Sequence, residues 1–181
     1  MTRLSVQDRA RAIATFRFIE VRLMEIAAAW TPTTPEMEVK VLLGRHIWEF
    51  AQHADALGKR TFELRHPEQW SLPPVEPFRL LLDEVAAIGD TSGRLGALYD
   101  GILPGLAKRY GEYLEATDPL LDAPSVVVIE RIRPELVRAQ ADAVRLRSEL
   151  ALPAAAAGLV EEVRSRDAGV AALVAAGEAS A

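Results

Sequence analysis

The residues best suited to chemistry in this sequence are two histidines and a glutamate on predicted apolar helix faces. His46 and His53 are seven residues apart, which places them on one face of an α-helix, about two turns from each other. Phe50 and Leu57 share that face. On the preceding predicted helix, Glu20 falls on the apolar side. A buried carboxylate is costly unless it is paired or coordinated, so these groups either bind a metal ion or satisfy one another.

A predicted turn brings the three groups to a similar level. Glu20 and His46 each lie 13 residues from Thr33, where the chain is expected to reverse, so both can touch a common ligand. Two further carboxylates, Glu49 and Glu135, lie at the edges of the apolar faces and can reach inwards. Imidazole and carboxylate together suit iron, manganese or zinc. The predicted metal ligands are Glu20, His46, His53, Glu49 and Glu135.

The same residues have an interpretation that needs no metal. Two histidines on an apolar face can be core residues whose hydrogen bonds are satisfied within the protein. Glu20 can pair with His46, or with Arg17 across a groove. Three tyrosines on the third predicted helix are either core aromatics or hydrogen-bond donors near the metal ligands, at positions 99, 110 and 113.

Helical periodicity dominates the elements that must position these residues. The pattern predicts helices over about residues 5–30, 35–65, 78–116 and 125–150. The prolines of residues 66–77 predict an extended crossing segment. The third helix is expected to break near residues 89–93 and to kink near Pro104, and the fourth to kink or start late at Pro134. The chain is therefore predicted to be all-α, with a bundle over residues 1–153. The Ala-rich residues 154–181 form either a short fifth helix or a frayed tail.

The order of these helices, with one long crossover, resembles the ferritin-like superfamily. The stretch Arg45-His-Ile-Trp-Glu-Phe-Ala-Gln-His53, which follows a helix bearing Glu20, is similar to the second helix of those proteins. The superfamily includes di-iron oxidases and oxygenases. In it, helices 1 and 3 each supply one Glu, and helices 2 and 4 each supply Glu-x-x-His.

This sequence departs from the superfamily pattern at both Glu-x-x-His positions. Glu49 is followed at the third position by Gln52, and Glu135 by Arg138. The resemblance therefore implies an atypical member with an irregular or mononuclear site and an oxidase or oxygenase type of role. The alternative is a non-catalytic member that acts as an interaction or assembly module.

A second face of the second predicted helix carries Ile47 and Trp48, opposite the histidines. The small residues Gly44, Ala51 and Gly58 recur beside them every seven residues, which allows close helix approach. Either another part of the chain covers this face, or it is a homodimer interface, and a homodimer is the expected partner.

Composition narrows the classes of function. The 21 basic residues against 26 acidic ones supply no positive excess for a nucleic-acid backbone. The sequence contains no cysteine, which excludes thiolate metal sites and disulfides. No apolar run is long enough to span a bilayer, and charged residues interrupt the first eleven positions, where a signal peptide would be apolar. These features predict a cytoplasmic protein that binds neither nucleic acid nor membrane.

Overall fold

A computed structural model describes residues 4–174, and that part of the chain is helical, without a β-strand. The all-α prediction is therefore confirmed for these residues. Residues 1–3 and 175–181 lie outside them, including the end of the predicted Ala-rich segment. The α-helices are α1 (Val6–Trp30), α2 (Met37–Glu63), α3 (Glu76–Ala86), α4 (Thr91–Leu95), α5 (Leu103–Ala116), α6 (Ala123–Glu149) and α7 (Leu159–Gly169).

Helices α1 and α2 form the most extensive helix pair in the protein. Ser5 caps α1, because its hydroxyl accepts the backbone N–H of Asp8 while the Asp8 carboxylate accepts the N–H of Ser5. A short 3₁₀ helix, Thr31–Thr33, continues the chain beyond the end of α1. The chain then reverses into α2, which buries the face that carries His46 and His53.

The predicted crossing segment is extended only in part. The chain leaves α2 at Leu64 and is non-helical to Val75. It then forms α3, which begins two residues earlier than the expected third helix because Pro77 is accommodated in the first turn. The predicted break near residues 89–93 is confirmed as the gap between α3 and α4, where the Asp90 side chain accepts the backbone N–H of Gly93.

Residues Thr91 to Ala116 form one continuous helical run with a widened π-helical segment, Gly96–Ile102, in its middle. Within this run the backbone N–H of Leu103 bonds to the carbonyl of Leu98, five residues back. Pro104 follows directly. Proline lacks an N–H and its ring clashes with the carbonyl four residues before it, which accounts for a wider turn at this point. The kink expected near Pro104 therefore takes the form of a π-helical segment.

Helix α7 packs against the π-helical segment across three glycines. Added Cβ atoms at Gly96, Gly101 and Gly105 would lie within 3.0 Å of Val160, Val163 and Asp167 respectively. In an α-helix, residues five apart point about 140° away from each other. The wider π turn brings Gly96 and Gly101 closer to one face, and α7 occupies the groove that they leave.

The end of α7 is also held by charge. Arg109 of α5 donates to both carboxylate oxygens of Asp167, at 2.7 and 2.9 Å, and to the backbone carbonyls of Asp167 and Val170. Val163 and Leu173 join the same apolar core as the longer helices. The Ala-rich segment thus contains a short helix that packs on the rest of the protein.

Helix α6 is anchored at its start by Asp122, which is fully buried. Its carboxylate accepts hydrogen bonds from Arg60, Ser125, Tyr113 and Thr117. Pro134 lies inside the helix without ending it, so the late start expected there is wrong. Within the described residues, no helix combines the length and the apolar character needed to cross a membrane.

Candidate functional site

A chain of four hydrogen-bonded side chains runs from the core to the edge of the protein. We call Tyr110, Glu20, His53 and Glu135 the Glu20–His53 cluster. The Tyr110 hydroxyl donates to Oε1 of Glu20 at 2.6 Å. Oε2 of Glu20 lies 3.1 Å from Nδ1 of His53, and Nε2 of His53 lies 2.7 Å from Oε2 of Glu135. Glu20 is fully buried, whereas the Glu135 side chain is 26% exposed.

The charges within this cluster favour a protonated His53. Burial alone lowers the pKa of the imidazole, but Glu20 and Glu135 outweigh that effect, so the pKa lies above its usual value of 6.5. A protonated ring has an N–H on each nitrogen, and each N–H donates to one of the two carboxylates. Burial, followed by the charge of Glu20, raises the pKa of Tyr110 far above 10, so Tyr110 remains a hydroxyl donor. Every polar group of the cluster core has a partner.

This arrangement does not fit the di-iron site of the ferritin-like pattern. Glu20 and Glu135 bind different nitrogens of the His53 ring. Because the ring lies between them, their carboxylates do not meet at one point. A histidine must also offer a deprotonated nitrogen to a metal. Among the described residues, no group of three or more His, Cys, Asp or Glu side chains is arranged to hold a metal ion.

His46 lies apart from the cluster, with a partner of its own. Its Nδ1 is 2.6 Å from the hydroxyl of Tyr99, which the π-helical segment carries. Its Nε2 is buried and has no partner among the described residues. If the Tyr99 hydroxyl donates to Nδ1, only the N–H at Nε2 is left without a partner. If Nδ1 donates to Tyr99 instead, both Nε2 and the hydroxyl proton of Tyr99 are left without one. We therefore assign the shared proton to Tyr99. Burial lowers the pKa of His46 to about 4, so the ring is neutral.

Glu49, the remaining predicted ligand, is paired with a cation. Its Oε1 accepts from Arg138 of α6 at 3.4 Å. This Arg stands where the ferritin-like pattern has the histidine of its fourth helix. The structure therefore brings Glu20, His53 and Glu135 together, and leaves His46 and Glu49 with other partners.

The alternative in which Glu20 pairs with His46 or with Arg17 is wrong, because Glu20 binds His53 and Tyr110. Arg17 instead binds the side chains of Gln69 and Ser71. Glu20 and His53 are equally far from a point between residues 36 and 37, more than three residues beyond Thr33. The 3₁₀ helix explains this shift, because it carries the chain past the end of α1 before the reversal that was expected at Thr33.

Sequence reasoning missed the specific roles of two tyrosines and one aspartate. Tyr99 and Tyr110 were expected on the inner face, as either core aromatics or donors, and the structure makes both of them donors to the predicted ligands. Asp122 lies in a predicted tight connection between two helices, where no buried role is expected for it. Its neighbour Pro124, in the first turn of α6, is the one signal of a helix start there.

An apolar cavity of about 330 Å³ lies away from these groups, between α1, α5 and the segment after α7. Ala12 and Phe16 line it from α1, and Leu173 lines it from the other side. Its charged lining residues form two ion pairs, Arg109 with Asp167 and Lys108 with Glu112. None of the five predicted ligands lines this cavity.

The outer face of α2 is strongly exposed and apolar. We define it by four residues, of which Met37, Val41 and Trp48 are 65%, 60% and 66% exposed. Gly44, the fourth, has open space where a Cβ would stand. Helices α3 and α7 pack elsewhere, α3 against α1 and α7, and α7 against the π-helical segment. Of the two alternatives for this face, coverage by another helix is therefore wrong for the described part of the chain.

Comparison with known proteins identifies no family for this chain. The ferritin-like resemblance rests on helix order and on residues 45–53, and it remains a prediction. No family model, no curated protein and no solved structure matches this chain.

Proposed function

We propose that this protein is a non-catalytic helical bundle, ferritin-like in the order of its long helices, that acts as an interaction module through the outer face of α2. The exposed indole of Trp48 carries the proposal. Trp is among the residues most enriched at the centres of protein interfaces, and contiguous exposed apolar surface marks binding sites. Met37, Val41 and Gly44 extend the apolar surface over about three turns of the same helix.

The interior supports a structural role for the polar core residues. Glu20 and His53 neutralise each other, with Tyr110 and Glu135 completing their hydrogen bonds. A catalytic group needs access to a substrate, and the two members of the central pair are at most 1% exposed. These groups therefore serve to fix the packing of α1, α2, α5 and α6.

Photo-cross-linking in the producing cell tests this proposal. The photoreactive residue benzoylphenylalanine replaces Trp48 in one variant and Leu120 in a control. Leu120 is 87% exposed and lies between α5 and α6, away from the α2 outer face. We expect one discrete protein adduct from position 48 and none from position 120. Absence of an adduct at position 48, or the same adducts from both positions, would refute the module.

A metal-dependent role is the second candidate, and one observation favours it. Glu20 binds Nδ1 of His53 while Nε2 points to Glu135 at the partly exposed edge. Metal-binding histidines commonly have a carboxylate behind them in this way. Glu49 lies one turn before His53 on α2, so iron, manganese or zinc bound by His53 and Glu135 would have a further carboxylate nearby.

Elemental analysis distinguishes this candidate from the first. Protein purified without a chelating tag is compared with the His53→Gln variant and with a His66→Gln control, in which a histidine of the crossing segment is changed. The metal role predicts about one equivalent of metal that only His53→Gln loses. The interaction module predicts no stoichiometric metal in any of the three proteins, before or after incubation with Fe(II), Mn(II) or Zn(II).

A further inference from the structure

We infer that the partner of the α2 outer face is a second copy of this chain, bound with the two α2 helices antiparallel and Trp48 of each copy over Gly44 of the other. This inference rests on the proposed function and names its partner. A two-fold symmetric interface requires one surface that is complementary to itself. The α2 outer face has this property in both shape and charge.

Shape complementarity comes from the spacing of large and small residues. Trp48 is the largest side chain on the face, and Gly44, one turn away, is the smallest. A two-fold axis at the level of residue 46 makes each Trp48 face the other copy's Gly44, since 44 and 48 are equally far from 46. The same axis places Val41 opposite Ala51, which is again a large residue opposite a small one. Parallel pairing would instead bring the two Trp48 side chains together.

Charge complementarity favours the same orientation. Lys40 flanks the α2 outer face, and Asp55, which also binds Lys59 at 2.7 Å, follows it on the same side of the helix. The axis places Lys40 of one copy opposite residue 52 of the other copy. Asp55 is three residues from residue 52, which is less than one helical turn along α2. Parallel pairing would place each Lys40 beside another Lys40. The edges towards α6 are polar, with Arg45 bound to Asp142, as is usual for an interface rim.

The antiparallel pair brings more than half the length of α2 into the contact. Symmetry about residue 46 overlaps residues 37–55 of the two copies, about 28 Å of helix. Phe62, which is 66% exposed, lies beyond this overlap.

Disulfide mapping tests the orientation directly, because the natural chain has no cysteine. Full-length Val41→Cys and Ala51→Cys variants are oxidised separately and as a mixture, and Leu120→Cys serves as the control. The antiparallel pair predicts a disulfide between residues 41 and 51 in the mixture, identified by peptide mass. It predicts at least a tenfold lower yield of dimer from either variant alone and from the control.

The outcomes separate this inference from the proposed function. Disulfides from Val41→Cys alone and Ala51→Cys alone, with no preference for the mixture, would show parallel pairing and overturn the inference. A photo-adduct at position 48 whose mass fits a different protein, without any specific disulfide, would overturn the second copy as partner and leave the interaction module intact. No photo-adduct and no disulfide would overturn both.

Discussion

Glu20 and His53 share a hydrogen bond of 3.1 Å between Oε2 and Nδ1, although both side chains are almost completely buried. Their pairing joins α1 to α2 inside the core. Tyr110 extends the connection to α5, and Glu135 extends it to α6. One chain of hydrogen bonds therefore links four helices.

Removal of Glu20 should be strongly destabilising. Glu20→Ala leaves the buried His53 without its inner carboxylate, and breaking a buried pair in this way costs about 3–5 kcal/mol. Glu135→Ala is the matched control, and because Glu135 is partly exposed its loss should cost about 1 kcal/mol. Urea unfolding monitored by circular dichroism measures both. Equal costs would contradict a central role for Glu20.

The free energy contributed by His53 should decrease as the solution becomes alkaline. Its folded-state pKa is raised above 6.5, so its stabilisation is complete below pH 6.5 and is lost as the pH rises through the folded-state pKa. The stability difference between wild type and His53→Gln should therefore shrink from pH 6 to pH 9. A difference that grows over this range would show that the buried ring is neutral.

His46 should show the opposite pH dependence. Its folded-state pKa of about 4 lies below the ordinary 6.5, so its contribution is present above pH 6.5 and is lost as the pH falls towards 4. The loss is on the order of 3 kcal/mol. A nuclear magnetic resonance titration should show a neutral His46 ring at pH 5.5. Protonation at that pH would contradict its burial beside Tyr99.

Close packing of α7 on the π-helical segment should depend on Gly101. A Cβ there would lie 2.6 Å from Cγ1 of Val163, so Gly101→Ala should cost about 1–3 kcal/mol through overpacking. It should also speed proteolysis in the connection before α7. The same change at Gly44, where a Cβ meets nothing, should stabilise dilute protein by up to about 1 kcal/mol. A stabilising Gly101→Ala would contradict the packing.

The sequence predicts which way the residues of α2 point, but not what they meet. Apolar periodicity places His46 and His53 inwards and Trp48 outwards, and the structure agrees, because one amphipathic helix determines its own faces. The partners Tyr99 and Glu135 come from other helices. Tyr99 lies on the wide turn before Pro104, and Glu135 lies on α6, so neither position follows from the pattern of α2.

The partners of the five predicted metal ligands could not be predicted from the sequence. Periodicity cannot show that Arg138 meets Glu49 or that Tyr99 meets His46, because both contacts join distant parts of the chain. The Ala-rich segment shows the same limit. Its helix α7 has little amphipathic pattern of its own and is held by the glycine groove and by Arg109.

Sedimentation equilibrium of the full chain over nanomolar to high micromolar concentration tests the central claim most directly. We predict a monomer–dimer equilibrium for the wild type and for a Leu120→Gln control. Trp48→Gln should weaken it at least tenfold, the effect of losing about 1.4 kcal/mol at an interface centre, with unchanged unfolding of the monomer. A wild type that stays monomeric throughout, or a Trp48→Gln variant that associates as strongly as wild type, would contradict the account.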